Sequence, residues 1–402
     1  MTEELSIDLK NLDKSDWKSY RFDEIAENIS ERVDPNDTEL DIYVGLEHID
    51  GEDLHIRRHG TSDDVNGQKL RFYPGDIIFG RRRAYQRKAA IAEWDGFCSA
   101  HALVLRAKPE VIDPKLFPFF MHSDQFMHRA VDISVGSLSP TINWGTLKSQ
   151  EFLLPPKDQQ AELAELLWAM DEVVERNKNL FKMCITYKKS FFKSELYSNY
   201  ELKEFFFNDL KPRYEIEKVG RYLKAVQYGI SKSLSDEGDV PILRMNNLID
   251  GKVDLADLKY YNPEDGELDK FYLESGDVLF NRTNSFELVG KTGIYENDKR
   301  ISFASYLIRL QTEKEKLDSA FLNFYMNSEI GMSRIRNYRT PGVSQSNINA
   351  QNLKSMPIPV PPIEKQESIM NKINYIESVE LKAEGSIKYM FFFQKSLINQ
   401  IF

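Results

Sequence analysis

The chain has 402 residues, with 53 Lys and Arg against 63 Asp and Glu, a formal net charge of −10, 41% hydrophobic residues and two cysteines. That length suggests two to four globular domains and excludes a disordered or fibrous chain. Cys98 and Cys184 cannot build a disulfide framework or a Cys-rich zinc site, no apolar run approaches the ~20 residues that span a bilayer, and the acidic start lacks a signal pattern; a cytoplasmic protein is expected.

In chain order, short strands are predicted at 39–46, 76–79 and 102–106, each flanked by Gly, Asp or Pro, and a helix at 116–127. Pro155-Pro156 closes this stretch. There is then no Pro before Pro212, and Leu163, Leu166, Met170, Val173, Asn177, Leu180, Cys184, Tyr187 and Phe191 alternate in steps of three and four, as in a coiled-coil seam. Acidic residues crowd this helix's start and basic ones its end, which suits the helix dipole. Strands follow at 240–245, 277–281 and 306–310, a helix at 319–326, then Pro361-Pro362. A second seam runs through Ile369, Ile373, Ile376, Glu380, Ala383, Ile387, Met390, Gln394, Leu397 and Ile401.

The second half repeats the first. Asp50-Gly51 recurs as Asp250-Gly251, Gly75-Asp76-Ile77-Ile78-Phe79 as Gly276-Asp277-Val278-Leu279-Phe280, Phe119-Phe120-Met121-His122-Ser123 as Phe324-Tyr325-Met326-Asn327-Ser328, and Thr141-Ile142-Asn143 as Asn347-Ile348-Asn349. The offset drifts only from 200 to 206, so the chain is two copies of one unit. The segments divide as 1–155 and 201–360, two mixed α/β modules, and 156–200 and 361–402, two helices. At about 40 residues each helix is roughly 60 Å long, too long to bury its seam on one module. The expected arrangement is α+β: two modules related by an approximate two-fold axis and separated by an antiparallel coiled coil, with Asn177, Glu380 and Gln394 fixing register and Lys388 and Lys395 beside the acidic end. A seam for a separate partner helix is the rival, and both can hold on different faces.

No shared catalytic constellation is visible. Gly290-Lys291-Thr292 resembles the end of a P-loop, but Ser285 stands where that loop needs Gly. All six histidines lie in the first copy, and no metal-ligand spacing appears. Two recognition modules fit this better than an enzyme. The nucleic-acid signal lies in polar loops after each Gly-Asp strand. The first carries Arg81, Arg82, Arg83, Tyr85, Arg87 and Lys88 without an acid; the second carries Arg282, Asn284, Ser285 and Lys291. Arg and Asn pair bidentately with guanine and adenine edges, and Arg and Lys hold phosphates. A second loop contributes Ser137, Ser139 and Asn143 in one copy and Ser344, Gln345, Ser346 and Asn347 in the other; Arg244, Asn246 and Asn247 add a polar strand end. The acidic overall balance argues mildly against a free-standing DNA binder.

Tyr43-Val44-Gly45-Leu46-Glu47-His48-Ile49, Gly75-Asp76-Ile77-Ile78-Phe79 and Leu154-Pro155-Pro156 with Gln159-Gln160 resemble the specificity subunit of a type I restriction-modification system. So do Leu243-Arg244-Met245-Asn246-Asn247, Gly276 to Asn284, and Pro359-Val360-Pro361-Pro362 with Gln366. The resemblance implies two target-recognition domains, each reading half of a split asymmetric DNA site, and a coiled coil that sets the spacer and docks two DNA adenine methyltransferase subunits. S-adenosylmethionine, ATP and Mg would belong to those partners and to a restriction/translocase subunit, with no cofactor or catalytic residue in this chain and no membrane contact. The alternative is a duplicated coiled-coil scaffold joining protein partners without reading DNA.

Overall fold

The computed structural model describes residues 12–198, 210–285, 287–341 and 346–402. They fall into two compact units: residues up to Asn179 together with Ala383–Phe402, and Leu180–Lys382. The first unit is built on an antiparallel sheet of β1 (Ala26–Ile29), β2 (Ile77–Gly80), β3 (Ala89–Ile91) and β4 (Ala102–Ala107), in the order β1-β4-β2-β3. The second unit has β5 (Leu223–Tyr228), β6 (Val278–Asn281), β7 (Thr292–Ile294) and β8 (Leu307–Thr312) in the order β5-β8-β6-β7, extended by Gly251–Val253 and Leu248–Ile249. The same spatial order in both units is the repeat seen in three dimensions.

The apolar runs after Gly-Asp are strands buried on both faces. Ile77 and Phe79 enter the core that holds Phe22, Phe120, Phe126 and Phe152, while Ile78 enters a second core with Val44 and Val104. Val278 and Phe280 are separated from Leu279 in the same way. The preceding turn explains the motif. Gly75 and Gly276 have φ of +91° and +96°, a region a Cβ disfavours. The Asp76 and Asp277 carboxylates each accept a turn N–H at 2.9 Å, from Tyr73 and Glu274.

Two strand expectations shrink: 39–46 keeps only Tyr43–Val44, and 240–245 keeps Val240–Leu243. The helix expected at 116–127 is two, Phe117–His122 and Asp124–Asp132. Ser123 breaks it, its Oγ accepting from Phe126 N at 3.2 Å as an N-cap. Ser328 does the same between Ser319–Asn327 and Glu329–Arg336.

The long helices span Lys157–Leu196 and Ile363–Ile401. Each begins on a buried glutamine. Gln160 accepts from Asp113 N (2.6 Å) and donates to Val111 O and Pro155 O; Gln366 accepts from Asp318 N (2.9 Å) and donates to Lys316 O and Pro361 O. Backbone groups next to each Pro-Pro are thereby satisfied. Within the first unit Gln394 donates to Leu167 O; within the second Lys188 pairs with Glu377 and Glu380, and Lys365 with Glu195. Partners descend along one helix as they ascend along the other, so the two pack antiparallel.

Along the second seam Ile369, Ile373, Ile376, Ala383, Leu397 and Ile401 are buried, and Ile387 and Met390 partly so. The first seam needs correction. Leu163, Met170 and Cys184 are buried and Leu166 half-buried, but Val173, Leu180 and Tyr187 are exposed. Leu167 and Val174 are buried in their place. Asn177 donates to Val173 O of its own helix, not across the pair. Lys388 and Lys395 pair with Glu384 and Glu52, while the acidic stretch of the first helix meets the first module: Asp171 with His55 at 2.8 Å, and Glu175 bidentately with Arg57 at 2.6 Å.

Candidate nucleic-acid interface

In each unit the chain leaves the central strand of the sheet and is met at once by the second polar loop. In the first unit Arg82 bridges antiparallel to Thr141, Arg83 N donates to Pro140 O at 2.8 Å, and Ile142 N donates to Arg81 O at 2.9 Å. In the second, Thr283 and Asn284 pair antiparallel with Asn347 and Ser346, and Ile348 N donates to Arg282 O at 2.9 Å. Two loops about 60 residues apart in sequence become one surface in both copies.

The first surface is cationic. Arg82 and Arg83 are exposed and Arg81 half-buried, its Nε without a partner. Arg83 and Arg87 adopt left-handed φ (56° and 52°) around the turn Ala84–Gln86, which carries exposed Tyr85. The second loop forms a hairpin closed by two 3.0 Å bonds between Val135 and Thr141, with Ser137 and Ser139 near its tip, Leu138 92% exposed and Asn143 exposed beyond it. Two residues sequence reasoning missed complete the cluster: His101, whose Nε2 lies 3.1 Å from Arg82 Nη1, and Lys69. Burial, Arg82, Arg81 and Lys69 together hold the His101 imidazole below the ordinary histidine range. The repeat offers one signal for His101. It occupies the turn before β4 as Tyr306 does before β8.

The second surface is an amide and aromatic one. Arg282 lies 4.8 Å over the Tyr228 ring and donates to Asn347 Oδ1 (3.2 Å) and Ser305 O (3.4 Å). Asn347 donates in turn to Thr283 Oγ1. Asn284 accepts from Ser285 N, and Tyr306 is 51% exposed. Lys291 is half-buried. Ser344 and Gln345 lie outside the described residues.

Several expected contacts are structural instead. Arg87 forms ion pairs with Glu52 (3.0 Å) and Asp124 (2.8 Å) and donates to His122 O, which turns its charge into the module. Lys88 Nζ donates to Leu46 O. Arg244 and Asn246 both bind Asp257, and buried Asn247 holds Asp254 O and Asp257 O, so this strand end ties down its own loop. Ser346 is 5% exposed, its side chain turned into the fold. Their polarity was legible; that neighbouring acids and carbonyls consume it was not. Among the described residues no group of three or more His, Cys, Asp or Glu is placed to hold a metal ion, and no helix is long and apolar enough to cross a membrane.

The family model for the type I restriction modification DNA specificity domain matches twice, over residues 14–181 and 214–388. The chain is 25% identical over 215 residues to a putative type I restriction enzyme MjaX specificity subunit of Methanocaldococcus jannaschii, covering 53% of this chain and 49% of the relative. It is 23% identical over 319 residues to the EcoKI specificity subunit of Escherichia coli K12, covering 76% of this chain and 68% of the relative. The chain thus spans about half the length of the first and two thirds of the second. In fold it is similar to a type I restriction-modification S subunit from M. genitalium (TM-score 0.59, 14% identity, 98% of this chain and 99% of that one). A chain from a structure on the assembly and conformational transition of the type I R-M system gives a TM-score of 0.55 at 17% identity, covering 96% and 97%.

Proposed function

The chain belongs to the type I restriction modification DNA specificity family, and from that premise we propose that it is the non-catalytic specificity subunit of a type I complex, reading a bipartite, asymmetric DNA site with one half-site per unit. The observation that carries this is the duplicated loop pair. Arg81–Arg83 against 140–142, and Arg282–Asn284 against 346–348, hang on the same backbone bonds yet expose different side chains. One frame with two polar faces suits two readers of different short sequences.

Two DNA adenine methyltransferase subunits are the partners in this reading, with a restriction/translocase subunit able to join them. S-adenosylmethionine, ATP and Mg belong to those partners. The exposed apolar row Val173, Leu180, Met183 and Tyr187 on the first long helix favours protein docking there. Partner surfaces would supply phosphate contacts that a chain of net charge −10 lacks. Such a complex works in the prokaryotic cytoplasm.

The test is selection from random-sequence duplex DNA by the chain assembled with methyltransferase subunits. A bipartite enriched motif is expected. Retention of protein partners with no enriched motif would overturn the reading in favour of a scaffold.

A further inference from the structure

Arg82 and His101 form an arrangement that loop polarity alone does not explain. Arg82 is exposed just past the end of β2, its backbone fixed opposite Thr141. Its Nη1 donates to His101 Nε2 at 3.1 Å, which assigns the neutral tautomer with the proton on Nδ1. His101 is fixed in turn by the tight turn in which Ala102 N donates to Ser99 O, and by its own N–H donating to Ser99 Oγ. The charged groups facing the ring are Arg82 and Arg81 from the hairpin and Lys69 from the strand Lys69–Phe72. All are cations, so together with partial desolvation they disfavour the protonated ring.

The choice of buttress matters. A carboxylate would fix an arginine by neutralising it and occupying its fork, as Glu52 and Asp124 do for Arg87. A neutral imidazole orients the guanidinium while leaving its charge whole. With Nη1 engaged, the Nε–Nη2 edge presents two parallel donors, the geometry that matches guanine O6 and N7 in the major groove.

We propose that His101 is a positioning residue that aims Arg82 at one guanine of the half-site read by the first unit. Arg83 serves the adjoining phosphates, while Lys69 is tied to Asn66 O and Gly67 O. Among the described residues the second unit has no counterpart, because Thr283 stands where Arg82 does, opposite Asn347, and Tyr306 stands where His101 does. The device therefore marks one half-site alone. The inference rests on the specificity-subunit reading.

The experiment compares motifs selected by the full chain assembled with methyltransferase subunits, for the wild type and for Arg82→Lys, Arg82→Ala, His101→Ala and His101→Gln. If the wild type selects no motif, the parent reading fails and this inference with it. Given a motif, both Arg82 variants should lose preference for G at one position of one half-site, by roughly 5- to 150-fold for a bidentate pair. His101→Ala should weaken the same position, and His101→Gln, which keeps an acceptor, should restore part of it. Acidification should erode that preference in the wild type, since a protonated ring cannot accept, while His101→Gln stays flat. An unchanged motif in the Arg82 variants, or an affinity loss spread evenly over all sequences, overturns the proposal. Where His101→Ala fails to fold, His101→Gln and its loss of pH dependence decide the positioning role, and a His101→Gln motif that changes with pH as the wild type's does overturns it.

Discussion

Asp76 is fully buried, accepts the Tyr73 N–H and pairs with Arg106 at 2.7 Å, so one carboxylate closes the turn and ties β2 to β4. Asp76→Ala should cost about 2 kcal/mol, a lost turn bond plus a lost pair whose arginine is partly solvated, read as a fall in thermal midpoint. His122 is a different case. Burial, against the bond to Ala89 O, pushes its imidazole down to about 4. The unfolded chain takes up that proton near its ordinary value of 6.5 and the folded chain only near 4, so acid favours unfolding throughout that window. The loss should be on the order of 3 kcal/mol between those limits, and His122→Gln should flatten the profile of melting temperature against pH. At this scale sequence reading recovered residue types better than roles. Arg82 and Arg87 look alike in the string Arg-Arg-Arg-Ala-Tyr-Gln-Arg-Lys, yet one is exposed and the other is enclosed by Glu52 and Asp124. The acids that decide this come from segments more than 30 residues away.

The long helices show what periodicity can and cannot tell. On the second helix the three-and-four spacing through Ile369, Ile373, Ile376, Ala383 and Leu397 follows the buried face, although Tyr375, Leu381, Tyr389, Phe392 and Phe393 are exposed elsewhere on it. The first has two apolar stripes: Leu163, Leu167, Met170 and Val174 face the core, and Val173, Leu180 and Tyr187 form an exposed row seven residues apart. A step pattern of three and four threads both stripes, and nothing in the spacing says which one meets the other helix. Leu167→Ala should therefore cost about 2–5 kcal/mol, while Val173→Ala should cost well under 1 kcal/mol, both measured by denaturant unfolding. Leu180→Lys with Tyr187→Lys should leave the fold intact and weaken assembly with methyltransferase subunits in size-exclusion or pull-down experiments. The Arg57–Glu175 clamp adds an acid-sensitive contact to the same helix. Burial alone would raise the Glu175 carboxyl, but Arg57 and Lys178 outweigh it and hold it at about 2. Its stabilisation is fully present above pH 4.5 and fades toward pH 2, a component that Glu175→Gln should remove.

For the whole molecule, the duplication was legible because the motifs at its joints are set by backbone demands: a positive φ at Gly75 and Gly276, a serine cap at Ser123 and Ser328, a glutamine anchor at Gln160 and Gln366. Surface residues carry no such demand, and there the copies have drifted apart. The resemblance to specificity subunits implies a coiled coil that sets the spacer between the half-sites. Seven residues added to both helices at matching heights would add about 10 Å of rise, roughly three base pairs of duplex at ~3.4 Å per pair. Sequencing of methylated DNA should show the unread spacer lengthened by about that amount with both half-sites unchanged; an unaltered spacer would refute the ruler.

Each long helix is shared between the units, and this governs the order in which they can be finished during synthesis. The core of the first unit takes Leu397, Ile398, Ile401 and Phe402 from the second helix, whereas the second unit is complete within Leu180–Lys382. The ribosome must therefore make some 200 further residues before the earlier-born unit can close, and the later-born one is ready first. That inverts the usual N-terminal-first sequence. It leaves the helix side of that core, around Phe120 and Leu167, uncovered until the last residues are made, a stage at which chaperones would find their client.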